Sequence, residues 1–531
     1  MRNHAAMKRL LLVHALALLA AAWSAAPAHA LPPAGAYPSR EIALAKPSAD
    51  EARVQQLFDR LRAQANLPPM TWNGSMSAVA REHSEDMAAN NYCDYYSPAL
   101  GTLDYRLHRA GVSSANARYA VFSANSIEAL EEPLRKNGFA VTEGTQVGIG
   151  VISTGMANRQ YFVTFITRVV YTTLDPFPTL PLYGKAYRLS GTIAPGLTHL
   201  ALVATPPDGK ILEVPLTVDA NRRFSTTFQF NRGAGLYTVE LTATGKLGPM
   251  VLDLMHCYAG NGRDYPPPDP ADKPVQTGSD MRQAEHILFQ MINRSRAEAA
   301  LPPLKLDARL SAVARAHSED MRRNNFFAHV SPTQGDLAAR VARAGIKARR
   351  FTENIAINPE LVAAHRSLMD SPGHRKNLLD PDVTAVGLGI VMGEPRTLFI
   401  TENFLQEFAS YNTARLAENL LQEINALRAQ ERLPALKPND ALRRIAELNS
   451  AWMVEQGKPG YDKAKSELDK ARLGNLTSFQ MAAAQSTEPP TPELLGDQIK
   501  KNFQQIGIGI VQVNDPGGEK LLYTTVLLGA Q

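Results

Sequence analysis

The chain has 531 residues and a formal charge of +5, of which Arg2, Lys8 and Arg9 contribute three. The remaining +2 is near balance for so long a chain, which argues against a broad nucleic-acid-binding surface. Two cysteines, Cys93 and Cys257, are too few for a disulfide-stapled scaffold, so stability has to come from hydrophobic cores; whether they pair is left open.

Residues 1–30 read as a secretory signal peptide. A basic start precedes an apolar run from Leu10 to Ala26, and Ala28-His29-Ala30 has the small-x-small form of a cleavage site. The run is short for a membrane span, and nothing later is long enough for one. No cysteine follows the site to take a lipid. The mature chain is therefore expected to start near Leu31 and to be secreted or periplasmic, with no transmembrane span.

Three later segments share one pattern. Leu61-Arg62-Ala63 precedes Leu67-Pro68-Pro69-Met70, Ser295-Arg296-Ala297 precedes Leu301-Pro302-Pro303-Leu304, and Leu427-Arg428-Ala429 precedes Leu433-Pro434-Ala435-Leu436. A constant offset carries the first onto the second without a gap as far as Gly111 and Gly345. Each segment opens with an amphipathic helix, such as Glu285 to Ala300, stopped by proline. A second helix follows, with Leu310, Val313, Ala314, His317 and Met321 on its apolar side. Each segment closes on a glycine-bearing apolar run, Val147–Val151, Val386–Ile390 or Ile506–Ile510, and then a further strand. Helices first and strands last predict α+β units over 48–172, 281–409 and 412–531.

Residues 178–258 differ. Phe224, Thr226, Phe228 and Phe230 alternate onto one face, as do Tyr237, Val239 and Leu241, and Asp208-Gly209 marks a hairpin turn. This predicts a small β-sandwich. Pro266-Pro267-Pro268 makes 259–280 a stiff linker.

The middle segment carries His317-Ser318-Glu319-Asp320-Met321, Asn324-Asn325-Phe326-Phe327-Ala328-His329, Glu353-Asn354-Ile355-Ala356 and Ser371-Pro372-Gly373-His374-Arg375-Lys376-Asn377, in that order. Together with the Gly-Leu-Gly strand they resemble the bacterial branch of the CAP family, also called SCP or cysteine-rich secretory proteins. The resemblance implies an α/β/α sandwich, intact at 281–409 and degenerate at 48–172 and 412–531, with the β-sandwich inserted. It also implies a groove lined by His329, Glu353 and His374, where some members hold a divalent metal such as zinc. Two imidazoles and a carboxylate are a plausible partial zinc set, with His329 and His374 as the ligands. Many relatives carry a second glutamate shortly before the second histidine. Here that stretch reads Ser367-Leu368-Met369-Asp370-Ser371, and the missing acid counts against metal binding and acid–base chemistry.

His317 reads as a core histidine, matched by His83 in the first segment and Asn449 in the third. Tyr95 takes the place of His329 and Leu134 that of His374, so the polar groove is expected in the middle segment alone. The leading expectation is an exported binding or interaction module, with a ligand from the envelope or the extracellular space. One alternative is a metal-assisted, peptidase-like hydrolase using Glu353 as base, with Ser331 or Ser371 near the histidines. The other is lipid or sterol binding, which some family members show. No catalytic set is readable, and the pattern leans away from an enzyme.

Overall fold

A computed structural model describes residues 46–155, 160–262, 266–267, 269, 273–275, 280–394, 396–471, 473–515 and 519–531. The signal peptide and most of the linker lie outside them.

The first unit runs α1 (Ala49–Gln64), β1 (Thr71–Trp72), α2 (Gly74–Asn90), α3 (Leu103–Arg109), β2 (Ala117–Ala124), α4 (Glu131–Lys136), β3 (Gln146–Ser153) and β4 (Tyr161–Arg168). The next unit has eight strands: β5 (Thr172–Leu174), β6 (Ala186–Ile193), β7 (Thr198–Thr205), β8 (Leu212–Val214), β9 (Thr217–Val218), β10 (Arg223–Gln229), β11 (Gly235–Gly245) and β12 (Gly248–Ala259). The middle helical unit follows with α5 (Met281–Glu298), β13 (Lys305–Leu306), α6 (Ala308–Arg323), α7 (Leu337–Arg343), β14 (Arg350–Asn358), α8 (Leu361–Asp370), α9 (Pro372–Leu378), β15 (Ala385–Gly393) and β16 (Thr397–Gln406). The last comprises α10 (Thr413–Gln430), β17 (Lys437–Pro438), α11 (Asp440–Gln456), α12 (Asp462–Lys470), β18 (Ser478–Ser486), β19 (Gln505–Asn514) and β20 (Lys520–Ala530).

Among the described residues, three of the five sheets share one strand order: β1-β3-β4-β2, β13-β15-β16-β14 and β17-β19-β20-β18. In the middle unit Leu288 and Ile292 of α5 and Leu368 of α8 pack on one face, against Val386, Leu388 and Ile400. Leu310 and Val313 of α6 and Val341 of α7 pack on the other, against Ala385 and Leu405. The sheet is thus covered by helices on both sides, which is why β15 and β16 are buried along most of their length. Helix α5 begins at Met281, ahead of the apolar stripe, because Asp280 caps it by accepting the Arg282 N–H at 2.9 Å.

Two contacts recur in all three helical units. The first is a buried arginine near the end of the opening helix. Arg296 donates from Nε to the Pro302 carbonyl at 2.9 Å and from Nη1 to those of Leu378 and Asp380, both at 2.9 Å. Arg62 does the same to Pro68, Ala140 and Thr142, and Arg428 to Pro434, Ile499 and Lys501. The second is the seat of the second helix on the glycine-bearing strand. A Cβ built on Gly387 would lie 2.3 Å from the Leu310 carbonyl carbon, and one on Gly389 2.2 Å from the Arg315 nitrogen. No larger residue fits at either place.

In the β unit two four-stranded antiparallel sheets, β5-β6-β10-β9 and β12-β11-β7-β8, share one core. Phe224, Phe228 and Phe230 meet Tyr237, Val239 and Leu241 in it. Its first strand pairs with β6 ahead of residue 178, and β12 ends at Ala259, so the unit extends slightly beyond 178–258 at both ends. Cys257 is buried here, Cys93 is exposed on the first unit, and both thiols are free.

Arg296→Met removes the donors for three carbonyls and strands the buried ones. Each stranded group costs about 1–3 kcal/mol, so the unfolding transition of the middle unit is expected to lose roughly 3 kcal/mol or more. Arg322→Met, which breaks a partly exposed pair with Glu319, is expected to cost under about 1 kcal/mol. Denaturant unfolding of the full chain followed by hydrogen exchange on β15 and β16 checks both.

Candidate functional site

Asp307 caps α6 by accepting the Leu310 N–H at 2.8 Å, and the helix carries His317 on its buried side. His317 Nε2 bonds the Ala328 carbonyl at 3.0 Å, and its Nδ1 accepts from Arg340 Nη1 at 3.0 Å. Neutral imidazole satisfies both bonds, donating from Nε2 and accepting at Nδ1. Burial pushes His317 down to about 4, although Glu353 pulls the other way. The histidine thereby ties the loop after α6 to the helix, one residue ahead of His329.

His329 and Glu353 meet directly. His329 Nδ1 lies 3.0 Å from Glu353 Oε1, while the other carboxylate oxygen accepts from the buried Arg340 guanidinium. Arg340 Nη1 also donates to the His329 carbonyl at 3.0 Å. Burial pushes Glu353 upward, but the His329 bond and the Arg340 charge outweigh it and hold the carboxyl below its ordinary range. The His329 side chain keeps 22% of its surface exposed against 4% for Glu353, so the imidazole faces solvent and the acid lies behind it.

His374 stands on α9, half-buried, with Nδ1 2.6 Å from Ser371 Oγ. Loss of hydration, and then the neighbouring His329, push it down to about 3. Asn354 links the two halves: its side-chain amide donates to the His374 carbonyl at 3.2 Å and to Glu402 at 3.1 Å, and accepts from Asn377 at 2.9 Å. Glu402 is fully buried, and burial pushes its carboxyl up to about 8 against the Asn354 bond. The site is thus a pair of imidazoles over a polar floor.

Several residues in this arrangement were not singled out from sequence. Arg340 is the anchor of Glu353, and the only signal for it was Arg106, which stands at the same offset in the first unit and is also fully buried. Glu402 and Glu240 were silent. Conversely, Asp370 pairs with His256 Nε2 of the β unit, at 3.8 Å. Neither serine is placed as a nucleophile. Ser331 is 3% exposed and bonded to Asp320, and Ser371 is 3% exposed and bonded to Glu240 and His374.

The flanking units lack the arrangement. Sheet register puts Tyr119 opposite Ile166, across from Gly148, just as Glu353 lies opposite Asn403, across from Gly387. Tyr95, Tyr119 and Leu134 are all buried in the first unit, and Met481 holds the register of Glu353 in the last. The structural histidine has counterparts: His83 Nε2 lies 2.8 Å from the Asp94 carbonyl, and Asn449 donates to that of Gly460 at 2.9 Å.

Among the described residues, no group of three or more His, Cys, Asp and Glu side chains is arranged to hold a metal ion. Glu353 spends both oxygens on His329 and Arg340, which leaves two imidazoles and no third protein ligand. The residues present do not fit a protein-held zinc.

Residues 55–164 and 289–405 match the model of the Cysteine-rich secretory protein family, CAP. Two proteins of Bacillus subtilis (strain 168) are similar. The uncharacterized protein YkwD is 40% identical over 110 residues, 20% of this chain and 42% of its own. The uncharacterized membrane protein YlbC is 34% identical over 137 residues, 26% of this chain and 37% of its own. The chain therefore spans well under half the length of these relatives. Among solved structures, an extracellular SCP-domain protein from Bacillus anthracis str. Ames is 22% identical, covering 44% of this chain and 88% of that one, with a TM-score of 0.23. A cysteine-rich secretory protein from Staphylococcus aureus Mu50 is 14% identical, covering 45% and 87%, with a TM-score of 0.21.

The depressed pKa of His317 has a stability consequence. Unfolded histidine takes up a proton below about 6.5, whereas folded His317 does so only near 4. Stability attributable to this residue is therefore full above about 6.5 and falls as the pH drops toward 4. His317→Asn keeps a donor to the Ala328 carbonyl, as Asn449 does in its own unit, and removes the titration. Between pH 7 and 5 the variant is expected to lose about 2 kcal/mol less than the wild type, read from denaturant midpoints of the middle unit.

Proposed function

Because the chain belongs to the cysteine-rich secretory protein (CAP) family through residues 55–164 and 289–405, we propose that it is an exported ligand-binding protein whose groove in the middle unit takes a small polar ligand. The observation that carries this reading is the pairing of His329 and His374. Each ring is held at Nδ1, one by Glu353 and one by Ser371. Each therefore has Nε2 left for a ligand, in an orientation set before binding, which lowers the ordering cost.

Export is supported by the leader-like residues 1–30, and no helix among the described residues is long and apolar enough to cross a membrane. We read residues 412–531 as a third, degenerate copy of the CAP unit. The shared strand order, Arg428 and the seat of α11 on Gly507 and Gly509 support that reading. The β unit between the first two copies is read as an inserted sandwich, on the strength of its shared core.

Binding is favoured over hydrolysis because both candidate nucleophiles are buried and committed, and Glu353 is paired on both oxygens. No feature of the groove favours a lipid or sterol, since its lining is imidazole, carboxylate and amide. The groove is proposed to work without a resident metal.

A screen of small polar fragments against the full chain, with histidine side chains observed by NMR, tests this reading. Bound fragments are expected to move the His329 and His374 signals together. Affinity is expected to fall at least about tenfold, roughly 1.4 kcal/mol, in His329→Ala, to be unchanged in Tyr95→Ala, and to be indifferent to added zinc. Hits that move neither signal, or that bind His329→Ala as tightly as the wild type, contradict it.

A further inference from the structure

The β unit reaches into the groove. Strand β11 turns Tyr237, Val239 and Leu241 into its own core, so Thr238 and Glu240 fall on the opposite face. That face is seated on the junction of α8 and α9. Glu240 is fully buried there, 131 residues ahead of its partner in sequence. Its Oε2 accepts the Ser371 hydroxyl, and its Oε1 lies 3.3 Å from the Gly373 nitrogen, which donates to it. The tip of the same hairpin grips the other histidine loop, where the Leu247 carbonyl accepts the Val330 N–H at 3.1 Å.

A serine hydroxyl has one proton. Both groups that Glu240 meets offer it a hydrogen, so the carboxylate is the acceptor of the pair and Ser371 spends its proton on it. Toward His374 the same oxygen has only a lone pair left. The 2.6 Å contact between Ser371 Oγ and His374 Nδ1 then requires the proton to be on Nδ1. No described residue bonds His374 Nε2.

We propose that Glu240, supplied by the β unit, is the second acid of the histidine groove and acts through Ser371 to fix the His374 proton on Nδ1, leaving Nε2 as an acceptor. Glu240 is a positioning residue, since it touches the groove only through Ser371. The titratable groups around it are His374 on α9, Asp370 at the end of α8, and His256 on β12, which faces Asp370. The neighbouring β7 places Val203 opposite Glu240 and brings no charge.

This inference deepens the binding reading of the same groove and rests on it for its purpose, but its test needs no ligand. The probe is the nitrogen NMR spectrum of ¹⁵N-histidine-labelled full chain at pH 8, above the value of about 7 to which burial pushes Glu240. His374 is expected to show the Nδ1–H tautomer in the wild type. In Glu240→Leu the freed Ser371 hydroxyl donates to Nδ1, and the tautomer is expected to change to Nε2–H. Glu240→Gln keeps an acceptor oxygen and is expected to restore most of the Nδ1–H form. Ser371→Ala is expected to give a mixture even with Glu240 intact. An Nε2–H tautomer in the wild type overturns the proposal, as does one tautomer shared by the wild type and Glu240→Leu while Glu240→Gln confirms an intact fold. Fragment hits that miss the groove would sink the binding reading and leave this tautomer pattern standing.

Discussion

The second helix of each helical unit lies against its glycine-bearing strand with no room for a side chain between them. In the middle unit that contact is made at Gly387 and Gly389, and Ser318 locks it by donating to the Gly389 carbonyl at 2.9 Å. The seat decides where the far end of α6 points. It sets His317 over the sheet, His317 holds the Ala328 carbonyl, and the next residue is His329. Glu353 reaches the same place from β14 because β16 pairs with both β14 and β15 in continuous register. Three distant stretches of chain thus meet through one close approach of helix and strand. The same seat recurs at Gly148 and Gly150 and at Gly507 and Gly509. The scaffold is constant across the units, and only the side chains placed on it differ.

Buried cations divide the scaffold from the site. Arg62, Arg296 and Arg428 bond backbone carbonyls, which ties the opening helix to the loop before the glycine strand. Arg340 and Arg106 occupy a second shared position, but only Arg340 finds a carboxylate. With both ions out of water, the pair persists because each has further bonds. Arg340 also holds the His329 carbonyl and His317, while Glu353 also holds the His329 ring. In the first unit Tyr119 stands in place of that acid, and Arg106 bonds the Thr102 carbonyl at 3.2 Å and the Tyr95 carbonyl at 3.3 Å. The imidazole pair and the ion pair are therefore found together, in one unit of the chain.

Much of this was legible in the sequence because its signals are local or periodic. The Leu-Pro-Pro stops, the apolar face of α6 and the Gly-Leu-Gly strand each report the environment of a few adjacent residues. The four ordered motifs singled out His329, Glu353 and His374, and the repeat register matched His317 with His83 and Asn449. What stayed hidden depends on contacts between distant segments. Nothing near Arg340 says that it will anchor Glu353, and nothing near Glu402 says that it will meet Asn354. Glu240 is a single acid on the outward face of a β-strand, where a solvated carboxylate is the ordinary outcome. Only the docking of two units makes it part of a histidine site.

That docking gives the β unit a purpose beyond spacing. One hairpin, β11–β12, touches the His374 loop at its middle and the His329 loop at its tip. The segments that carry the two rings are then steadied from outside their own unit, and separating the units would release both. Hydrogen exchange on the full chain reads this most directly, at the amides of Val330 and Gly373. If the hairpin is part of the groove, both amides are protected well beyond neighbouring loop amides such as Gly345, and they are released together when the units part. Exchange of Val330 and Gly373 at loop rates, while β15 and β16 stay protected, would show a groove built by the middle unit alone and would contradict the account.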